Sequence, residues 1–430
     1  MQIEKTDAAR IINTLEKAGH SAYIVGAGMR ELVMGKAVSE LDIATSAGIR
    51  DIKRLFPYTA DCGNYITVMD NKAGFFVHPY RPHGDDSADI YSDMACRDFT
   101  INAIAYNHEI IDIYGGMDDI KNKIIRCVGD PEKSFREYPA RIIRAAGLAC
   151  ALDFSIEEQT KNAMKKYAHL LAVTKQNKIR EELNRILLSK RPEKIILLYE
   201  LGILKHIMKE LDVCFSTPQK NKYHIYNVGE HIIHTVKATP CDLMLRWAAL
   251  LHDIGKPDCI STDSAGTIHF YGHHKQSAKT ASNILYRLRF DSEFIDNISV
   301  LIENHDVRIE PATAPVKRMM ARTGGGLFSK LIELQRADAA AKNPIFLEEK
   351  LSRLDEVTDI YKRVLSENQP YLADQLLIGR KDLMKLGIKR GRDISDTMKI
   401  LLDDVIINPK LNNREYLIKR AKKILKGRFV

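Results

Sequence analysis

A chain of 430 residues is too long for one hydrophobic core, so two to four domains are expected. With 45% hydrophobic and 28% charged residues the composition is that of an ordinary soluble globular protein. No run approaches the roughly eighteen apolar residues of a membrane helix, and the opening MQIEKTDAAR has no apolar stretch like a secretory signal. A net charge of +9, with a pI near 9.0, fits either a polyanionic partner or a solvated basic face.

In chain order, Thr6-Asp7 can cap a helix that runs to Ala18 and is stopped by Gly19. YIVGA then predicts a short strand entering the turn Gly26-Ala27-Gly28, followed by a helix bearing Arg30. Backbone N–H groups of such a turn and helix N-terminus can cradle phosphates, with Arg30 one turn in. The next strand carries Glu40 and Asp42; carboxylates two apart on a strand face the same way and can share a pair of Mg²⁺ ions. Such a pair activates a 3′-hydroxyl and stabilises a leaving pyrophosphate. Strand-like runs continue at YITVMD, FFVHPYR and IIDIYG, so a mixed or antiparallel sheet with a few helices is expected over residues 20–125.

After Asp130-Pro131 the strand pattern stops, and ARIIRAAGLACAL, IREELNRILL, EKIILLYELGIL and LMLRWAALLHDI carry apolar residues at helical spacing. The remainder is expected to be nearly all helix, broken at Pro240, Pro257, Pro311, Pro344 and Pro370. Basic residues are dense from Lys161 to Lys194 and again from Lys410 to Arg428. In the middle third, His231, His252, Asp253, His273, His305 and Asp338 fall in or beside helical runs. The adjacent His252-Asp253 of LLHDIGK can bind a divalent ion from one helix while more distant side chains complete the shell. Seven scattered cysteines without a CxxC pair fit reduced thiols in a cytosol.

The stretches YIVGAGMREL with ELDIATSA, CRDFTINAIAYN, IIDIYGGMDDIKNKIIRCVGDP, FREYPARIIRAA, LLHDIGKP and DLMKLGIKRGRDI occur in collinear order from about residue 5 to 425. Together they resemble the bacterial tRNA nucleotidyltransferases (CCA-adding enzymes) of the poly(A)-polymerase-related class II family with an HD domain. The resemblance implies an α+β fold: a small mixed-sheet, polymerase-beta-like nucleotidyltransferase head over residues 1–130 and a helical neck over 131–222. An HD domain over 223–345 and a helical, tRNA-binding tail over 346–430 would follow. It implies template-independent transfer from CTP or ATP to the tRNA acceptor end in the cytoplasm, with Mg²⁺ in the head and a transition-metal ion in the HD site. No DNA or membrane partner is expected. The family's metal carboxylates fall on Glu40 and Asp42, its triphosphate turn on Gly26, Ala27 and Arg30, and its arginine–aspartate pair on Arg97 and Asp98. Its neck residues that read the base fall on Glu137, Tyr138, Arg141 and Arg144; Arg141 and Arg144, three apart, share a helix face.

Several positions depart from that pattern. Ala27 replaces a glycine, Glu40 and Glu31 are each a methylene longer than the expected aspartate, and Cys96 and Gly147 stand where arginines are usual. Tyr138 replaces the aspartate that would hydrogen-bond the base, and a phenol cannot supply a two-point carboxylate contact. The stretch between Arg81 and Arg97 is short, as in relatives that add only the two cytidines. Two other readings stay open: an HD-type metal-dependent phosphohydrolase or phosphodiesterase, and a non-catalytic RNA-binding paralogue.

Overall fold

The computed structural model describes residues 7–36, 38, 41–61, 65–70, 73–82, 88–219, 221–388 and 391–427. By internal contacts the chain divides into two compact units, Met1–Ile207 and Met208–Val430.

The first unit opens with α1 (Asp7–Lys17), which ends just before Gly19 at φ +87°. Then come β1 (Ala22–Val25), α2 (Gly26–Val33), β2 (Leu41–Thr45), α3 (Ile49–Leu55), β3 (Thr59–Asp61), β4 (Ile66–Asp70) and β5 (Ala73–Pro79). α4 (Ile90–Ala95), β6 (Ala105–Asn107), β7 (Glu109–Ile111), α5 (Gly116–Asn122) and β8 (Ile124–Ile125) complete the head. Seven strands form one sheet in the order β3-β4-β5-β2-β1-β6-β7. β2 and β5 run parallel and the other pairs antiparallel, so the sheet is mixed, as expected. The register pairs Ile24 with Ile43 and Ile43 with Val77, a fully buried apolar row against which α1 and α3 pack. Each such side chain removed from water stabilises the fold by about 1.5–3 kcal/mol. On the opposite face Val25 and Ala44 lie under Ile90 and Met94 of α4. Asp42 shares that face with Ala44 and pairs in register with Val25, the last residue before the Gly26 turn.

The neck continues with α6 (Pro131–Glu137), α7 (Ala140–Leu152), β9 (Ser155–Ile156), α8 (Glu158–Tyr167), α9 (Gln176–Leu187), α10 (Ile196–Glu200) and α11 (Leu204–Ile207). The expectation of an all-helical chain after residue 130 needs correcting here: β9 pairs in parallel with β8. Two residues are too few for a periodic signal, and the pairing is set by packing. IIDIYG is strand only to Ile111, because the Asp112 carboxylate accepts from the N–H groups of Gly116 and Met117 and so caps the start of α5.

The second unit contains α12 (Lys209–Cys214), α13 (Val228–Ala238), α14 (Leu243–Leu251), β10 (Ile260–Thr262), β11 (Ile268–Phe270), α15 (His273–Arg287) and α16 (Ser292–Asn304). α17 (Thr313–Thr323), α18 (Gly325–Ala340), α19 (Leu347–Ser366), α20 (Arg380–Lys385), α21 (Gly391–Ile407) and α22 (Arg414–Gly427) follow. The β10–β11 hairpin is a second departure from the all-helix expectation; Asp263 accepts from the N–H groups of Ala265 and Thr267 to close its turn. The five prolines singled out in the sequence all lie outside the α-helices. A separate core joins α20, α21 and α22 through Leu383, Ile394, Leu401, Val405 and Leu417.

Candidate nucleotide-binding cleft and metal centre

In the first unit a cleft of about 660 Å³ is lined by Gly26, Ala27, Asp42, Arg97, Asp98, Tyr138, Arg141 and Arg144, among others. Eight residues singled out on sequence therefore meet in one place. Gly26 has φ +74°, and a Cβ on it would lie 2.6 Å from Asp42 Oδ2 and 3.0 Å from Arg97 Nη1. Only glycine lets the turn come this close to the carboxylate. Burial pushes the Asp42 carboxyl upward against the pull of Arg97, His78, Arg144 and Arg81. Glu40, its expected partner, lies outside the described residues.

Arg97 is held by Asp93, four residues earlier on α4: Nε and Nη2 donate to Asp93 Oδ2 at 3.0 and 2.7 Å. Arg81 donates to the same carboxylate from Nε at 2.8 Å and Nη2 at 3.2 Å. Asp93 is fully buried; burial alone would raise its pKa, but the two guanidinium groups outweigh it and hold the carboxyl well below the usual range. Asp98 accepts from Asn102 Nδ2 and from the N–H of its neighbour Phe99, each at 2.8 Å, and forms an ion pair with Arg144 Nε at 2.8 Å. Burial opposes its charge, and those donors reverse the effect and lower its pKa.

Two expected residues are not brought to the cleft wall. Arg30 is buried, and Nη1 donates to Asn102 Oδ1 at 2.6 Å while Nη2 donates to Glu31 at 3.3 Å. It braces α2 against the turn at 100–102. Glu137, the last residue of α6, is exposed. Arg141 stacks on the Tyr138 ring at 4.6 Å and donates to Ser134 Oγ at 2.8 Å and to the Cys96 carbonyl at 2.6 Å. Sequence reasoning missed Arg81, Asp93, Asn102 and Glu182. Only the Asp93–Arg97 pair left a signal, as opposite charges four apart in sequence, although Arg97 lies just past the end of α4.

The second unit gathers His231, His252, Asp253, His273, His305 and Asp338, all 9% exposed or less. The expectation that His252-Asp253 belongs to one helix is corrected: α14 ends at Leu251, and the pair lies in the turn beyond. There the side chains are freed from helical spacing. Each imidazole directs Nδ1 at a carbonyl: His231 to Ala341 at 3.2 Å, His252 to Ala249 at 2.8 Å, His273 to Phe270 at 2.8 Å and His305 to Ile302 at 2.6 Å. A carbonyl only accepts, so each Nδ1 carries a proton and every Nε2 faces inward, where it can ligate a cation once it holds no proton.

His231 Nε2 lies 3.2 Å from His252 Nε2 and 3.1 Å from Asp338 Oδ1. His273 and His305 Nε2 lie 3.4 and 3.6 Å from Asp253 Oδ1. Two ligand groups, His231–His252–Asp253 and Asp253–His273–His305, share Asp253. Neither oxygen of Asp253 nor Oδ1 of Asp338 receives a well-formed hydrogen bond, although Lys256 Nζ makes an ion pair with Asp253 Oδ2 at 2.6 Å. Lys342 Nζ donates to the other oxygen of Asp338 at 2.5 Å. Burial opposes a charged His252, but Asp253 and Asp338 outweigh it and raise its pKa to about 9. Inward-facing Nε2 atoms and orphaned buried carboxylate oxygens fit a divalent cation, which would displace the proton that His252 otherwise holds.

A mixed-sheet head carrying an arginine-lined cleft on a helical neck, with a histidine–aspartate centre in the second unit, defines a nucleotidyltransferase with an HD domain. Residues 22–126 match the poly(A) polymerase head domain, 153–215 the probable RNA and SrmB-binding site of polymerase A, and 223–355 the HD domain. The A-adding tRNA nucleotidyltransferase of Deinococcus radiodurans is 30% identical over 406 residues, 89% of this chain and 91% of that protein. A CCA-adding enzyme of Leuconostoc mesenteroides is 34% identical over 224 residues, 48% of this chain and 55% of that enzyme. The crystal structure of the Bacillus stearothermophilus CCA-adding enzyme in complex with CTP shares the fold, with a TM-score of 0.75 and 21% identity, covering 100% of this chain and 99% of that one. This chain belongs to the tRNA nucleotidyltransferase family. Among the described residues no helix is long and apolar enough to cross a membrane.

Proposed function

We propose that this chain extends the 3′ end of tRNA by Mg²⁺-dependent transfer of nucleotides from CTP or ATP, without a nucleic acid template. The observation that carries the reading is the single cleft in which Asp42, the Gly26 turn, Arg97, Asp98, Arg141 and Arg144 meet. Asp42, with Glu40 as the partner expected from sequence, would hold Mg²⁺, which when bound polarises the attacking hydroxyl and the leaving phosphates. The first N–H groups of α2 and the guanidinium of Arg97 offer donors to the triphosphate. Asp98, fixed by Arg144 and Asn102, presents a charged acceptor for a ribose hydroxyl. Exposed Lys165, Lys166, Lys175, Lys190, Lys419, Lys422 and Lys423 supply cations for the RNA backbone. We place the enzyme in the cytoplasm, because its seven scattered cysteines carry no CxxC pair and fit reduced thiols.

Incubating the protein with tRNA that ends before the CCA, with each nucleotide separately and then together, tests the reading. Extension that depends on Mg²⁺ is expected; no extension with any nucleotide overturns it. The same time course tests a narrower reading, addition of one kind of nucleotide only. Arg141 favours that reading, because its partners Cys96 O, Ser134 and Tyr138 fix its donors in one arrangement, and reading two different bases requires two. The relative matched over 91% of its length is named as an A-adding enzyme. For the second unit, we infer that the histidine–aspartate centre binds a divalent transition-metal ion, checked by metal analysis of the purified protein.

A further inference from the structure

Glu182 on α9 is 7% exposed and forms part of the cleft wall with Lys178, Glu181 and Arg185. Its Oε2 receives no hydrogen bond; Arg185 Nη1, three residues on, lies 3.3 Å away as an ion pair without hydrogen-bond geometry. The neighbouring Glu181 is neutralised by Lys178 at 2.8 Å, so Glu182 is the carboxylate here whose acceptor capacity is unspent. Its position depends on Gly147 of α7: a Cβ there would lie 2.3 Å from Glu182 Oε2. Any larger side chain at 147 would push the carboxylate away, and an arginine would neutralise it. Burial raises its pKa against the pull of Arg185 and Arg144. A buried carboxylate oxygen without a donor is unfavourable, so the wall is short of one donor group.

We propose that Glu182, paired with Arg185, reads the Watson–Crick edge of the incoming nucleotide. This rests on the nucleotidyl-transfer reading and names its specificity residue. The carboxylate accepts from the exocyclic amine of cytosine (N4) or adenine (N6), and the Arg185 guanidinium donates to the adjacent ring nitrogen. Uracil and guanine place a carbonyl oxygen where the amine would be, and an acceptor facing a carboxylate is rejected. A triphosphate is excluded from this part of the wall by the same charge. The terminal torsion of a glutamate is broad, so either oxygen can turn from Gly147 towards the cleft. Tyr138, where the sequence pattern expects a base-reading carboxylate, is instead engaged with Arg141. The acceptor lost at 138 is thus available at 182, made possible by the glycine at 147.

The test is Glu182→Gln, nearly the same shape, whose amide presents a donor as well as an acceptor. With tRNA lacking its CCA end, kcat/KM is measured for CTP, ATP and UTP. The preferred nucleotide is expected to lose roughly 10–100-fold against UTP, as a lost charged hydrogen bond to a base edge does, with the loss in KM and the KM for tRNA unchanged. A purely structural role would lower kcat for all nucleotides equally; an unchanged selectivity ratio in an active variant overturns the assignment. Equilibrium binding of CTP, ATP and UTP to both proteins supplies the same ratio should chemistry be slow. A wild-type protein that extends no tRNA defeats the underlying reading, whereas an active wild type with an equally selective variant defeats only the role of Glu182.

Discussion

In the first unit the carboxylates are surrounded by guanidinium groups, whereas in the second they are surrounded by imidazoles. Asp93 and Asp98 are saturated by Arg81, Arg97 and Arg144, and both are held ionised below their ordinary range. Asp253 and Asp338 meet histidine Nε2 atoms and retain oxygens without well-formed hydrogen bonds. Permanent cations build a cleft whose charge is fixed at any physiological pH, suited to a polyphosphate. Imidazoles locked by backbone carbonyls build a cavity whose buried carboxylates a cation would complete electrostatically.

The largest expected effect isolates the first site. Asp42→Ala should lower nucleotide incorporation into tRNA by on the order of 10³-fold or more, about 4 kcal/mol in the barrier. A variant retaining wild-type incorporation would remove Asp42 from the chemistry. Asp93→Asn attacks the saturation itself, because it removes the buried carboxylate that Arg97 and Arg81 share; urea unfolding should show a loss of about 3–5 kcal/mol. The sign with pH follows from a folded-state pKa below the ordinary aspartate value of about 3.9. Its contribution is complete above that value and is lost as pH falls below it towards the folded value. The stability gap between wild type and variant should therefore stay level between pH 7 and 5 and close in more acid solution.

A smaller effect is expected for Gly26→Ala, which places a methyl 2.6 Å from Asp42 Oδ2 at φ +74°. The strain is about 1–2 kcal/mol, and incorporation should fall roughly 10–100-fold. Unchanged kinetics would show that the turn and the carboxylate are not tightly coupled. The comparison is sharpest where no effect on transfer is expected. Asp253→Asn removes the ligand shared by both histidine groups, so metal content should drop while CTP and ATP incorporation stays within about twofold of wild type. Loss of incorporation in step with the metal would join the two sites functionally.

Much of this was legible in the residues alone. The strand that enters a turn at Gly26, the strand that carries Asp42, and helical periodicity after residue 130 are local properties, written in near neighbours. The short pair β8–β9 and the β10–β11 hairpin left no mark, since two or three residues are below any period. Arg30 looked like a phosphate ligand because spacing gives the helix turn but not which group is nearest; Asn102, seventy-two positions away, decides that it points inward.

The amino-acid order by itself determined the mixed-sheet head, the largely helical remainder, the six histidines and aspartates proposed as ligands and the loss of a carboxylate at Tyr138. Only the tertiary structure decided which charges are spent. Asp93 consumes Arg81 and Arg97, while Gly147 leaves Glu182 unspent in the cleft wall. The reason is physical: hydrogen bonding and desolvation depend on distances of a few ångströms between groups far apart in the chain, and no spacing rule along one strand or helix encodes them.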